Sequence, residues 1–223
     1  RSRRASGLSF LDSSHLVSMW VGPGTGIVIP ELPVPQSPSG FSDVSYEDWF
    51  YDAVMFVFEN GLFKGTSETT FEPNTPMTRA MFVTVLSRLE FGKDEAVPEG
   101  TSPFTDLTQD WYKKAVAWAA ANGIVNGVSD TEFAPDLPVT REQMAAIMHR
   151  YAQYKGLDMS FDEADIGGFA DMDEVSDYAK DAMKWAVSKK LITGTTSTTL
   201  APKESATRAQ VATIVMRFRA FAE

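Results

Sequence analysis

Thr140-Arg141-Glu142-Gln143-Met144 is the stretch on which the fold turns: a threonine, an arginine, then an apolar helical run. The pair recurs as Thr78-Arg79-Ala80-Met81 and as Thr207-Arg208-Ala209-Gln210, so the arginines stand 62 and then 67 residues apart (79 to 141, 141 to 208). A period of this size marks an internal repeat. The rest of the unit keeps step. Each copy opens with Phe-x-Asp (Phe41 and Asp43, Phe104 and Asp106, Phe169 and Asp171) and continues with an Asp before an aromatic (Asp48-Trp49, Asp110-Trp111, Asp177-Tyr178). An alanine follows (Ala53, Ala115, Ala182), then an aromatic (Phe56, Trp118, Trp185) and a glycine (Gly65, Gly127, Gly194). An apolar residue two before a proline (Phe71, Phe133, Leu200 before Pro73, Pro135, Pro202) completes the unit.

Within each unit the pattern predicts helix, loop, helix. The first helix is expected to start at the Asp before the aromatic, whose carboxylate can accept free backbone N–H groups, and to stop at Asn60-Gly61 and Asn122-Gly123. Lys189-Lys190 occupies those places in the third unit, which predicts a different cap there. The second helix starts at the Thr. Its apolar positions fall at +3, +6, +7 and +10 from the Arg: Phe82, Val85, Leu86, Leu89; Met144, Ile147, Met148, Tyr151; Val211, Ile214, Val215, Phe218. At ~100° per residue they form one buried stripe, and the three stripes are expected to meet. The piece between the helices is too short for another helix, so a mainly helical fold with at most scraps of strand follows.

Length and composition bound the possibilities. The 223 residues, 43% apolar and 22% charged, suit a folded chain of one or two domains. Units of about 60 residues are marginal alone, which predicts a shared core. Apolar runs such as Ala53–Phe58 fall far short of the ~20 residues a membrane span needs. The absence of cysteine excludes disulfides and thiolate chemistry. A net charge of -10, with 30 acidic and 20 basic residues, argues against bulk attraction to nucleic acid or an anionic membrane, so an anionic ligand has to be held locally.

Residues 1–40 stand outside the repeat. They combine a basic start (Arg1, Arg3, Arg4), a cluster of glycines (Gly22, Gly24, Gly26) and Pro30, Pro33, Pro35 and Pro38, which favour an extended tether from an upstream domain of the same polypeptide. The glycine cluster is not a phosphate loop, because no Lys-Ser/Thr follows it. The expected division is 1–40 for the extension, then repeats at 41–100, 101–165 and 166–223.

Thr140 with Gln143, and Thr207 with Gln210, match a capping box, so helix initiation explains much of the motif. It does not explain the Arg. A cation in the first turn opposes the helix dipole at ~0.3–1 kcal/mol, which asks for a compensating partner. Two candidates stand: an ion pair with Asp43, Asp106 or Asp171, or an anionic ligand matched to the planar guanidinium fork. Nine residues on lie Arg88, Arg150 and Arg217, on the opposite side of each helix. Two arginines of one helix therefore do not grip one ligand, and a solvated or inter-repeat role is expected for the second.

The assembled unit resembles the S-layer homology (SLH) repeat from Phe41 to about Phe221, with the second unit, Phe104 to Tyr151, the nearest to the family pattern. The resemblance implies a mainly α fold in which three tandem helix-loop-helix repeats form a pseudo-threefold, three-pronged spindle around a shared central helical bundle. It implies an extracellular module on the bacterial cell wall. Its partner would be secondary cell wall polysaccharide linked to peptidoglycan, recognised through a pyruvylated N-acetylmannosamine in the inter-repeat grooves. The family's ligand-contacting Arg transfers to Arg79, Arg141 and Arg208, and its groove-lining glycine to Gly65, Gly127 and Gly194, where a side chain would crowd the sugar. Asp43, Asp106 and Asp171 join the candidate glycan-binding set. Trp49 and Trp111 could offer a flat face to the sugar or belong to the core, while Trp118 and Trp185 are expected in the core. The departures are Met81 in place of Glu or Gln, Tyr178 in place of Trp and Lys190 in place of Gly, and the groove around Arg141 keeps the pattern best.

No catalytic constellation is visible. His15 and His149 have no recurring partner, no cofactor or metal site is expected, and carboxylates spread through three similar units read as caps rather than as one active centre. The rival to glycan anchoring is a structural module that self-associates in a surface lattice. The anchoring reading requires that the three motif arginines be reachable from outside and not already neutralised by a carboxylate.

Overall fold

The second helix of each unit begins where its threonine caps it. In the computed structural model, which describes residues 40–93, 96–162 and 168–223, the Oγ1 atoms of Thr78, Thr140 and Thr207 accept from the N–H of Met81, Gln143 and Gln210, each at 3.3 Å. The tether, the glycine cluster and His15 lie outside the described residues. Gln143 and Gln210 return the bond to the N–H of Thr140 and Thr207 at 3.2 Å, closing the predicted boxes, and Met81 cannot. The helices are α1 (Tyr51–Glu59), α2 (Arg79–Phe91), α3 (Asp110–Ala121), α4 (Arg141–Tyr154), α5 (Lys180–Ser188) and α6 (Arg208–Ala222). Among the described residues there is no strand, only three isolated antiparallel bridges.

α3 begins at Asp110, as expected, whereas the other two first helices begin later and the expected carboxylate caps do not form. The Asp48 carboxylate turns back to the N–H of Ser45 at 2.7 Å, and Asp110 and Asp177 pair with Lys113 and Lys180 at the surface, so none caps a helix. α1 starts after Phe50, and α5 follows a 3-10 turn, Asp177–Ala179. The third-unit stop is also corrected. Lys190 adopts φ 57°, almost the 67° of Gly61 and Gly123, and its N–H reaches Val187 O as that of Gly61 reaches Phe58 O. The cap is the same, with a side chain carried in the left-handed region.

The buried stripes are as predicted, apart from a half-buried Leu89, and Trp118 and Trp185 lie in the core. Helices pair between units rather than within them. α2 packs on α3, α4 on α5, and α6 returns to α1, so the circuit closes. Near the C-terminal ends Tyr151 stacks on Phe218 at 5.2 Å and donates to Glu90 at 2.7 Å, tying α4 to α6 and to α2.

At the other end a ring of three backbone bonds joins the units: Met77 N–H to Ala206 O, Ala206 N–H to Val139 O, and Val139 N–H to Met77 O. Each second helix then rests its first N–H groups on the next unit. Arg79 and Ala80 donate to the carbonyls of Leu137 and Pro135, Arg141 and Glu142 to those of Glu204 and Pro202, and Arg208 and Ala209 to those of Thr75 and Pro73. Donors that a helix leaves open at its start are thus satisfied across the seams.

Candidate functional site

The motif arginines follow the same route. Arg79 Nε donates to Phe133 O at 2.8 Å and its Nη2 to Asn126 O at 2.9 Å; Arg141 reaches Leu200 O at 2.6 Å and Thr193 O at 2.8 Å; Arg208 reaches Phe71 O at 2.7 Å and Lys64 O at 2.8 Å. Each guanidinium therefore closes on the loop of the following unit. Arg79 also lies over the Phe133 ring at 4.6 Å and Arg208 over Phe71 at 4.5 Å, whereas Arg141 meets aliphatic Leu200.

Of the two candidate partners, the ion pair with Asp43, Asp106 or Asp171 does not form among the described residues. Both oxygens of Asp43 accept the N–H groups of Phe71 and Glu72 at 2.8 and 2.7 Å, Asp106 takes those of Phe133 and Ala134, and Asp171 those of Leu200 and Ala201. Aspartate and arginine grip the same residue from its two ends: Asp holds the N–H of Phe71, Phe133 or Leu200, and Arg holds its C=O. The next residue, Glu72, Ala134 or Ala201, is held at φ 52–57°, a left-handed conformation that the carboxylate's second bond secures. The three aspartates do not line the pockets described below.

Gly65, Gly127 and Gly194 do line them, but the need for glycine arises behind the wall. A Cβ there would come within 2.6–2.8 Å of the Phe41, Phe104 or Phe169 ring and closer still to carbonyls of its own loop. The turn by itself already excludes a side chain.

Three pockets open between units. The Gly194 pocket, about 430 Å³, is lined by Arg141, Arg217, Gln210 and Trp49; the Gly127 pocket, about 410 Å³, by Arg79, Arg150, Gln143 and Tyr178; the Gly65 pocket, about 280 Å³, by Arg208, Arg88, Met81 and Trp111. Every pocket draws on all three units: a loop and second helix from one, the first-turn arginine from the unit before, the aromatic from the unit after. Arg141 and Gly127, neighbours within one motif, serve different pockets. The two arginines of one helix do part, as expected, yet arginines from different helices converge. Sequence reading missed this pairing, because it depends on which helix stands beside which.

Trp49, Trp111 and Tyr178 are 66%, 53% and 55% exposed, so the core alternative fails for Trp49 and Trp111. Among the described residues no acidic side chain lines any of the three pockets, although the chain carries a net -10. Burial lowers the pKa of all six arginines, so each guanidinium is partly stripped of water. They stay protonated nonetheless. Arg79, Arg141 and Arg208 are 4%, 4% and 8% exposed, and no described carboxylate forms an ion pair with them. One Nε–H and one Nη2–H of each are committed to carbonyls, which leaves three of the five guanidinium N–H donors without a bond to these loops. The arrangement suits a single carboxylate set between two guanidinium groups, beside a flat aromatic face and, in two pockets, an amide.

Among the described residues no three His, Cys, Asp or Glu side chains are grouped to hold a metal, and no helix is long and apolar enough to cross a membrane. His149 packs edge-on against Trp185 at 5.3 Å, and burial lowers its pKa.

A family model described as "S-layer homology domain" matches residues 40–81, 103–145 and 168–212. An endoglucanase of Bacillus sp. (strain KSM-635) is 34% identical over 78% of this chain and 18% of its own length. The surface-layer 125 kDa protein of Lysinibacillus sphaericus is 32% identical over 74% of this chain and 14% of its own. The cellulosome-anchoring protein of Acetivibrio thermocellus is 30% identical over 49% and 25%. The chain thus spans a quarter or less of the length of these relatives.

Proposed function

We propose, from the premise that this chain belongs to the S-layer homology domain family, that it anchors a surface protein to the bacterial wall by binding an acidic sugar of the secondary cell wall polysaccharide in the Gly65, Gly127 and Gly194 pockets. Its place is the cell surface, as for the S-layer and surface-layer proteins related to it. The observation that carries the reading is the charge pattern. An acidic chain keeps its described carboxylates out of the lining of three pockets and brings two guanidinium groups into each.

A pyruvyl ketal on N-acetylmannosamine supplies one carboxylate on an otherwise neutral sugar. Each charged hydrogen bond to it contributes ~1.5–3 kcal/mol, enough to select the modified sugar over the plain one. Trp49, Trp111 and Tyr178 offer ring faces to sugar C–H groups. The closed circuit of contacts supports reading units 41–100, 101–165 and 166–223 as one pseudo-threefold spindle, with 1–40 as the tether to an upstream domain. On this reading the chain binds and does not catalyse, and any enzyme activity belongs to other parts of such a polypeptide.

Sedimentation of the protein with purified sacculi tests the proposal. Binding should disappear when the secondary polymer is chemically removed. Sedimentation that persists without the polymer would overturn it in favour of the self-association alternative.

A further inference from the structure

The Gly127 pocket departs from the other two at its aromatic. Tyr178 stands where Trp49 and Trp111 stand, and its hydroxyl is not left to solvent: it lies 3.2 Å from Glu142 Oε1. Glu142 is itself 5% exposed. Its carboxylate accepts the Ser176 N–H at 2.9 Å, the Ser176 hydroxyl at 3.0 Å and the Lys203 ammonium at 2.8 and 2.9 Å. None of these residues recurs. Ala80 and Ala209 replace Glu142 in the other units, and Asn74 and Asp136 replace Lys203.

The chemistry of the hydroxyl follows from its partner. Burial and the neighbouring Glu142 carboxylate raise the Tyr178 phenol to about 12, so it keeps its proton at neutral pH. A carboxylate can only accept, so the phenol donates to it, and the lone pairs of the oxygen remain for the pocket. An indole N–H, by contrast, only donates. The Gly127 pocket therefore gains a phenol acceptor beside the donors Arg79, Arg150 and Gln143, in addition to the Asn126 amide that lines the same pocket. Glu142 places a negative charge behind a pocket built for an anion. Lys203 offsets it, without itself lining the pocket.

We propose that Tyr178 is a specificity-determining residue, making the Gly127 pocket selective for an acidic sugar that also presents a hydroxyl or amide hydrogen beside its carboxylate, with Glu142 and Lys203 as the positioning pair. The inference rests on the anchoring reading and adds that the three pockets are not equivalent. The test is a site-resolved titration of the full, isotope-labelled chain with the methyl glycoside of pyruvylated N-acetylmannosamine. The backbone amides of Gly127, Gly194 and Gly65 report their own pockets. Tyr178→Phe keeps the ring and should raise the Kd read at Gly127 by about 3- to 10-fold, the worth of one hydrogen bond, with Gly194 and Gly65 unmoved. Lys203→Met should weaken the same pocket, and Lys203→Met combined with Glu142→Gln should restore most of the affinity, which a purely structural role for the pair would not do. An unchanged Kd at Gly127 in Tyr178→Phe, or no rescue in the double variant, overturns this proposal while Gly194 and Gly65 still titrate. A chain in which none of the three loops titrates overturns the anchoring reading with it.

Discussion

A single arginine illustrates how one residue serves two purposes. Arg141 closes a seam through the Leu200 and Thr193 carbonyls and also lines the Gly194 pocket. The dipole argument predicts that a first-turn cation needs compensation, and the compensation comes from backbone oxygens of the next unit. Lys190 shows the opposite case, a side chain where the backbone favours none. It holds φ 57° at the end of α5, a conformation that costs a side-chain-bearing residue about 1–2 kcal/mol. Part of that gain is lost to the greater freedom of glycine in the unfolded chain. Lys190→Gly should therefore stabilise the protein by about 0.5–1 kcal/mol, raising the thermal midpoint. A lower midpoint would mean that the lysine side chain contributes more than its backbone strain costs.

Among the elements, the three second helices share one design at different degrees of completion. α4 and α6 carry reciprocal capping boxes, whereas Thr78 receives no bond in return because Met81 has no polar atom to offer its N–H. Met81 is 39% exposed, so a polar side chain of the same length fits there. Met81→Gln should supply the missing acceptor and add about 0.5–1 kcal/mol, read as a shift in denaturant midpoint at constant slope. No shift would show that water already satisfies the Thr78 N–H. The first helices obey a weaker signal. Asp48, Asp110 and Asp177 look like caps in sequence, yet their carboxylates find closer partners in Ser45, Lys113 and Lys180.

For the whole molecule, closure of the circuit is the decisive property. α6 packs on α1, Arg208 reaches back to the loop of the first unit, and each pocket takes a wall from every unit. Deleting residues 166–223 removes the partner of α1, one member of the backbone ring and one wall from each pocket. The remaining chain should lose its cooperative melting transition and all binding to wall polymer. A truncated chain that still melted sharply and bound through the Gly127 loop would show that the units are more independent than the seams imply.

The periodicity of Thr-Arg, Phe-x-Asp and the loop glycine determined the repeat, the helices and the buried stripes, because these depend on spacing along the chain and on local backbone chemistry. The reasons behind the motif lay in the tertiary structure. That Gly65 is closed in by the Phe41 ring depends on how its own unit folds, while that Asp43 and Arg208 hold opposite ends of Phe71 and that Arg141 and Arg217 line one pocket depend on which unit follows which around a closed body. A linear repeat specifies its own copy of each residue; only folding decides the copy it meets.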